Sequence, residues 1–190
     1  MLIDLSFLLT NWIKILLIIL IFLGLLGTFA YLGLNLTSAV SNDIGYWNNT
    51  SPTSSVFSVG TFEVTNRSTA TYVAYCFAEV AGYSKFGSYT GNGSTDGPFV
   101  YCGFKPRFIL FKNSSTAVDW KIFDTARNTY NVVGEELYPN LSNAGSTATD
   151  MDILSNGFKI RQSAVAINQN TDTYIYMAFA ENPFKYAKAR

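Results

Sequence analysis

The hydrophobic pattern of the chain changes near Leu34. From Ile15 to Leu34 the only ionisable side chain is a tyrosine, and about twenty apolar residues in a helix match the roughly 30 Å hydrocarbon core of a bilayer. Trp12 and Lys14 flank this run in the manner of interfacial anchors. The pattern predicts one hydrophobic helix within residues 1–31, with residues 15–34 as the segment that would contact a membrane.

The predicted helix has two interpretations. It is either an uncleaved signal-anchor or a signal peptide, for which Thr37-Ser38-Ala39 offers a small-residue cleavage site. A helix buried in a protein core fits poorly, because the run is long and apolar on every side.

Beyond Leu34 the apolar positions form short runs separated by Gly, Asn and Ser. In Val118–Ile122 the apolar residues Val118, Trp120 and Ile122 alternate with charges, as in a half-buried strand. Arg107–Lys112 is apolar on both faces, which predicts a central strand covered on each side. Asn156-Gly157 predicts a hairpin turn. The pattern predicts an all-β fold of antiparallel sandwich or jelly-roll-like architecture.

An internal repeat divides the chain further. Thr71–Glu79 matches Thr173–Glu181, and shorter matches precede each segment in the same order. We therefore expect two related β-units, a partial first unit at residues 32–96 and a complete second unit at residues 97–190. The hydrophobic helix stands where the first unit lacks strands, so residues 1–31 are interpreted as a fused anchor or as a gene-boundary artefact before a truncated copy.

The amino-acid composition limits the classes of function that the protein could have. Aromatic residues are plentiful (15 Phe, 12 Tyr, 3 Trp) and charged residues are scarce at 14%, which suits strands and turns. The net charge is zero without a basic stripe, which argues against nucleic-acid binding. The chain has no histidine and only Cys76 and Cys102, so we expect no metal, no cofactor and no catalytic residues. Cys76 is predicted to be a small buried thiol, with a Cys76–Cys102 bridge as the alternative.

Two groups of residues could form a site. The aromatic residues predicted to bind a surface ligand come from the Gly- and Ser-rich stretch after Ala81 and from the loop after Asp124, namely Tyr83, Phe86, Tyr89 and Tyr130. Trp120 is expected in the core. Four aspartates could supply the carboxylate pair of a glycosidase, although solvated or turn-capping roles fit them better: Asp119, Asp124, Asp150 and Asp152.

The stretch Tyr75–Gly93, together with Gly103-Phe104-Lys105-Pro106 and Tyr174–Ala187, resembles a module of unknown function in marine bacteriophage virion proteins. That module sits at the C-terminal end of tail- or fibre-associated chains. The resemblance covers about Tyr31 to Arg190, and its relatives carry more β-structure at the N-terminus instead of a hydrophobic helix. It implies a virion component whose partners are other tail subunits and a host-surface glycan or protein, and we expect a homo-oligomer.

Three functions follow in order of preference. The first is a non-enzymatic virion structural or host-surface-binding module. The second is a single-pass membrane protein with its β-domain outside, based on the apolar run. The third and most remote is a glycosidase that degrades polysaccharide, based on the aspartates alone.

Overall fold

The computed structural model describes residues 30–53 and 55–183. Its strands are β1 (Ala30–Tyr31), β2 (Ser41–Asn42), β3 (Ser84–Thr90), β4 (Phe99–Tyr101), β5 (Pro106–Asn113), β6 (Lys121–Asp124), β7 (Val133–Glu136), β8 (Ser146–Leu154), β9 (Gly157–Ile160) and β10 (Thr173–Ala180). Its two helices are one turn long, α1 (Ile44–Trp47) and α2 (Glu63–Asn66).

Two antiparallel sheets make up the body of the protein. The first sheet has the strand order β3-β10-β5-β6, and the second has the order β4-β9-β8-β7. One hydrophobic core lies between them and draws side chains from both, including Phe111 and Tyr174 of the first sheet and Met151 and Phe158 of the second. The predicted all-β architecture of antiparallel strands is confirmed.

Strands β5 and β10 form the centre of the first sheet and are apolar on both faces. Ile109 and Phe111 of β5 point into the core between the sheets. Leu110 of β5 and Ile175 of β10 point to the opposite face and are also buried. Because successive residues of a strand point to opposite faces, a strand that is apolar throughout needs a cover on each side. The prediction of a central strand over Arg107–Lys112 is confirmed.

The outer face of the first sheet is covered by the segment that follows β1. Leu32 and Leu34 pack against the outer apolar cluster, which includes Trp120. The indole Nε1 of Trp120 donates a hydrogen bond to the carbonyl of Gly33 at 2.9 Å. The indole Nε1 of Trp47 donates to the carbonyl of Ala30 at 3.1 Å. Trp120 therefore holds the start of the described chain against the first sheet, and Trp47 ties it to α1.

The two sheets join along one side. Ile122 of β6 and Leu137, just after β7, exchange backbone hydrogen bonds of 2.9 and 3.0 Å. This pairing satisfies backbone groups that an edge strand would expose. The predicted hairpin at Asn156-Gly157 is also confirmed, because Leu154 of β8 pairs with Gly157 of β9.

The predicted N-terminal helix falls mostly on residues outside the described range. Its last residues are described and are extended, since Ala30–Tyr31 forms β1 and pairs with β2. Ala30 and Tyr31, which lie within the predicted bounds of the helix, are therefore extended instead of helical. Among the residues that the structure describes, no helix is long and apolar enough to cross a membrane.

The two repeated segments have different structures. Thr173–Ala180 is the central strand β10, whereas Thr71–Glu79 lies outside the named strands, and Phe77 within it is exposed. The expected equivalence of these strands is wrong, because a strand needs paired neighbours as well as a suitable sequence. β3 from the predicted first unit pairs with β10 from the second, so residues of both units share one sheet.

We predict that Phe111→Ala lowers the free energy of unfolding by about 3–5 kcal/mol, because it leaves a cavity between the sheets. Phe111 is fully buried and stacks on Phe123 with the ring centroids 5.5 Å apart. The matched control is Phe99→Ala on edge strand β4, where the ring is 45% exposed and the loss should stay within about 1 kcal/mol. Urea denaturation measures both changes, and equal losses would contradict the proposed core.

Candidate functional site

Several loops meet at one end of the sandwich, which we call the Lys105 end. Phe108 of β5 pairs with Phe179 of β10 and with Asp124 of β6. The chain that precedes β5 and the chain that follows β6 and β10 therefore leave the first sheet at the same end. Lys105, Thr125 and Glu181 lie there, and Glu181 donates its backbone N–H to the carbonyl of Lys105 at 2.9 Å.

A cavity of about 160 Å³ opens at this end. Its lining comes from the loops at the ends of β5 and β6 and from the second sheet: Lys105, Thr125, Thr129, Tyr130, Asn131, Val133 and Ile153. Val133 and Ile153 are buried and supply an apolar wall, whereas the Tyr130 side chain is 83% exposed. The cavity therefore combines apolar wall residues with hydroxyl and amide groups and one accessible aromatic ring.

The loop between β6 and β7 is held in place by two asparagines. The Asn131 amide donates to the carbonyl of Ile153 and accepts from its N–H, both at 2.9 Å, so it pairs with β8 as a strand residue would. The Asn128 side-chain oxygen accepts from the N–H of Gly134 at 2.7 Å. These bonds fix the loop before any ligand arrives, which lowers the entropy cost of binding.

Thr125 contributes a polar group with no partner. Thr125 is only 8% exposed, and its backbone N–H donates a hydrogen bond to the carbonyl of Arg107 at 2.9 Å. Among the described residues, no hydrogen-bond partner reaches its hydroxyl oxygen. Buried polar side-chain atoms are usually paired, so this hydroxyl is an unsatisfied group beside the cavity.

The charges around the Lys105 end are paired. Lys105 Nζ lies 2.8 Å from Glu181 Oε2, Arg107 Nε lies 3.3 Å from Asp124 Oδ1, and a longer pair joins Arg127 to Glu135. All of these side chains are at least a quarter exposed, so each pair contributes little to stability. Because each cation is paired with an anion, the Lys105 end carries no net charge from these residues.

The predicted surface aromatics separate into two groups. Tyr130 lines the cavity, and Tyr83 precedes β3 at the same end, where its ring packs edge-on against Phe179 at 5.7 Å. Phe86 is half-buried in the outer apolar cluster. Tyr89 is 8% exposed, and its hydroxyl donates to the carbonyl of Ile167 at 2.8 Å. Placing Tyr89 on the surface was therefore wrong, because its stretch forms strand β3 and alternate residues point into the core.

A second group of ionisable residues is buried at the joined side of the sandwich. Lys121 of β6 is an ion-pair partner of Glu136 of β7, and the hydroxyl of Tyr138 donates to the same carboxylate. The Glu136 side chain is hydrogen-bonded to Asp150 of β8. Glu136 is 2% exposed and Asp150 is fully buried. The alternation in Val118–Ile122 predicts a half-buried strand, but its charged residue Lys121 is buried too, because that face lies under the second sheet.

The bond between Glu136 and Asp150 requires a proton. No described donor reaches Asp150 Oδ2, while Gln162 donates to Oδ1 of the same residue. Burial, and then the bond to Glu136, raise the pKa of Asp150 to about 8. Burial would also raise the pKa of Glu136, but hydrogen bonds from Asp150, Lys121 and Tyr138 outweigh it and lower that pKa to about 2. At neutral pH Asp150 is the protonated member of the pair.

The four candidate aspartates do not form one catalytic pair. Asp119 accepts from Asn140 at 2.7 Å, and Asp152 accepts from Arg161 at 2.5 Å. Asp124 binds Arg107, and Asp150 lies in the buried group. Within the described ranges, no three His, Cys, Asp or Glu side chains are grouped so that they could hold a metal ion.

The cysteines are not bridged. Cys76 is exposed, contrary to the prediction, because its segment lies outside the sheets. Cys102 is the buried thiol, and burial raises its pKa to about 12.

A known protein family covers most of the chain. The family described as Domain of unknown function (DUF7483) matches residues 18–183. The chain belongs to this family. The match confirms a module of unknown function, and it starts nearer the N-terminus than the expected Tyr31. No curated protein and no solved structure matches the chain.

We predict that the protein is more stable at pH 5 than at pH 7.5. The folded Asp150 loses its proton around its pKa of about 8, whereas the unfolded residue loses it around pH 3.8, so stability falls as the pH rises across this interval. The slope is at most about 1.4 kcal/mol per pH unit. The depressed pKa of Glu136 costs stability only as the pH falls below about 4.5 towards 2. The absence of histidine leaves few other groups to titrate between pH 5 and 7.5.

Denaturation at several pH values tests this directly. Asp150→Asn replaces the protonated acid by a neutral amide and should flatten the profile between pH 5 and 7.5. Asp119→Asn lies outside the buried group and should keep the slope. A flat profile in the unmodified protein would show that Asp150 is ionised throughout this range.

Proposed function

We propose that this chain is a non-enzymatic component of a bacteriophage virion, associated with the tail or fibre, that binds the host surface through the Lys105 end. The observation that carries the proposal is the cavity with Tyr130 at its accessible side. Loops on a rigid β-scaffold are common binding sites, because the sheets hold them while their side chains stay free. The resemblance to tail- and fibre-associated modules supports the placement on a virion, and homo-oligomer formation is part of the same proposal.

Binding fits the geometry better than hydrolysis does. Glycosidases place two carboxyl groups on opposite sides of the scissile bond, about 5–9.5 Å apart. The carboxyl pair formed by Glu136 and Asp150 is buried and directly hydrogen-bonded, so a sugar has no space between the two groups. The other candidate aspartates are bound by separate partners.

The attachment proposal predicts competition during adsorption. Purified full-length chain, added to host cells before the phage that encodes it, should reduce the rate of phage adsorption several-fold. Tyr130→Ala should weaken this competition about tenfold or more, because an exposed aromatic ring at a binding site often dominates affinity. Tyr101→Ala changes another exposed tyrosine, which does not line the cavity, and should compete like the unmodified chain. Unchanged adsorption at saturating protein would reject host attachment.

The membrane-anchored alternative rests on the apolar run from Ile15 to Leu34. The virion proposal predicts that antibodies against the chain label purified particles. The alternative predicts that the chain stays in host membranes after a carbonate wash and does not label particles. Recovery only in washed membranes would favour the alternative.

A further inference from the structure

We propose that the cavity at the Lys105 end binds a single uncharged pyranose ring of a surface polysaccharide. This inference rests on the proposed attachment function and specifies the chemistry of its ligand. It follows from the size of the cavity, the character of its walls, the unpaired Thr125 hydroxyl and the balance of charge around it.

The size of the cavity limits its occupant. Its volume is about 160 Å³, whereas pockets for drug-sized ligands have about 300–1,000 Å³. One sugar ring is an occupant of suitable size, with the rest of a polysaccharide outside. An extended peptide would instead use a sheet edge or a long groove, since its backbone groups need a row of partners.

The walls match the two kinds of surface on a sugar ring. A pyranose has faces of C–H groups and a rim of hydroxyls. Val133 and Ile153 offer apolar contact, and the exposed Tyr130 ring can stack on a C–H face. Thr125 and Thr129 lie in the same lining and carry hydroxyl groups that suit the rim of the sugar.

The Thr125 hydroxyl is the most specific of these groups. It is shielded from bulk solvent and has no partner among the described residues. A rotation about χ1 of Thr125 would turn this enclosed hydroxyl towards a sugar hydroxyl, and the hydrogen bond would form away from water, where such bonds are stronger. Asn131 lines the cavity too, but both ends of its amide are bonded to Ile153, so it holds the loop.

The charge balance favours an uncharged sugar. Lys105 is the cationic residue in the lining, and its ammonium group is paired with Glu181. An acidic sugar would have to separate this pair or approach the Glu181 carboxylate. A neutral sugar avoids both penalties, because its hydroxyls form hydrogen bonds with uncharged polar groups.

Saturation-transfer difference NMR on the full-length chain tests the inference. The probes are the methyl pyranosides of glucose, galactose and mannose, together with N-acetylglucosamine and, as an acidic comparison, glucuronic acid. Any detergent must lack a sugar headgroup. We expect signal transfer to the ring protons of at least one neutral probe, with weaker transfer to glucuronic acid. Transfer to glucuronic acid alone would overturn the choice of an uncharged ligand.

Three variants locate the binding. Tyr130→Ala should abolish the transfer, and Thr125→Val should weaken binding about tenfold while the Tm stays equal or rises, because valine removes an unpaired hydroxyl with little change in shape. Tyr101→Ala should bind like the unmodified chain. If Tyr130→Ala and Thr125→Val both show the same signal transfer as the unmodified chain, the sugar binds outside this cavity. A large fall in Tm for Thr125→Val would show that the hydroxyl is paired in the free protein.

The adsorption experiment separates this inference from the function on which it rests. If the chain blocks adsorption but none of these probes receives signal, the saccharide inference fails and host attachment stands. If a probe binds at the cavity but adsorption is unaffected, the saccharide site stands and the attachment role fails. Failure of both experiments rejects both proposals.

Discussion

The structure depends on the burial of strands β5 and β10 on both of their faces. Their apolar side chains alternate towards the second sheet and towards the outside, so a single sheet could not shield them from water. The second sheet covers one face, and Leu32, Leu34 and Trp120 cover much of the other. The segment after β1 is therefore part of the packing, and the Trp120–Gly33 hydrogen bond fixes its position on the sheet.

Because both faces of the first sheet are covered, the loops lie at the ends of the sandwich. The Lys105 end carries a loop whose asparagines bond to β7 and β8, so its shape is set by the sheets beneath it. The joined side of the sandwich has a different character, because Lys121, Glu136 and Asp150 are enclosed there. Burial of an ion pair removes the hydration free energy of both charges, and their mutual attraction and hydrogen bonds must compensate for this loss. The proton on Asp150 supplies a bond that two carboxylates could not make.

The local sequence pattern predicted those elements whose structure depends on neighbouring residues in the chain. The two-sided apolar run of β5, the buried Trp120 and the β8–β9 hairpin follow from alternation and turn chemistry. The repeated segments could not be distinguished in this way, since Thr71–Glu79 and Thr173–Glu181 have similar side chains but different neighbours. The burial of Tyr89 and Lys121 was not predicted for the same reason, because alternation does not show which face a second sheet will cover. Tyr130, a predicted surface residue, lines the cavity, whereas no sequence pattern indicated the unpaired Thr125 hydroxyl, since hydrogen-bond partners are visible only in three dimensions.

Accessibility and strongly shifted pKa values are separated in the described part of the chain, and this separation supports the proposed binding function. Catalysis needs a proton donor or nucleophile within reach of a substrate. The carboxyl pair with strongly shifted pKa values, Glu136 and Asp150, lies under the second sheet, where no substrate can approach it. The accessible cavity is lined by hydroxyl and aromatic groups, while its asparagine amide bonds to Ile153 and its lysine is held in an ion pair. Such groups suit the proposed recognition of a ligand by its shape and hydroxyl pattern.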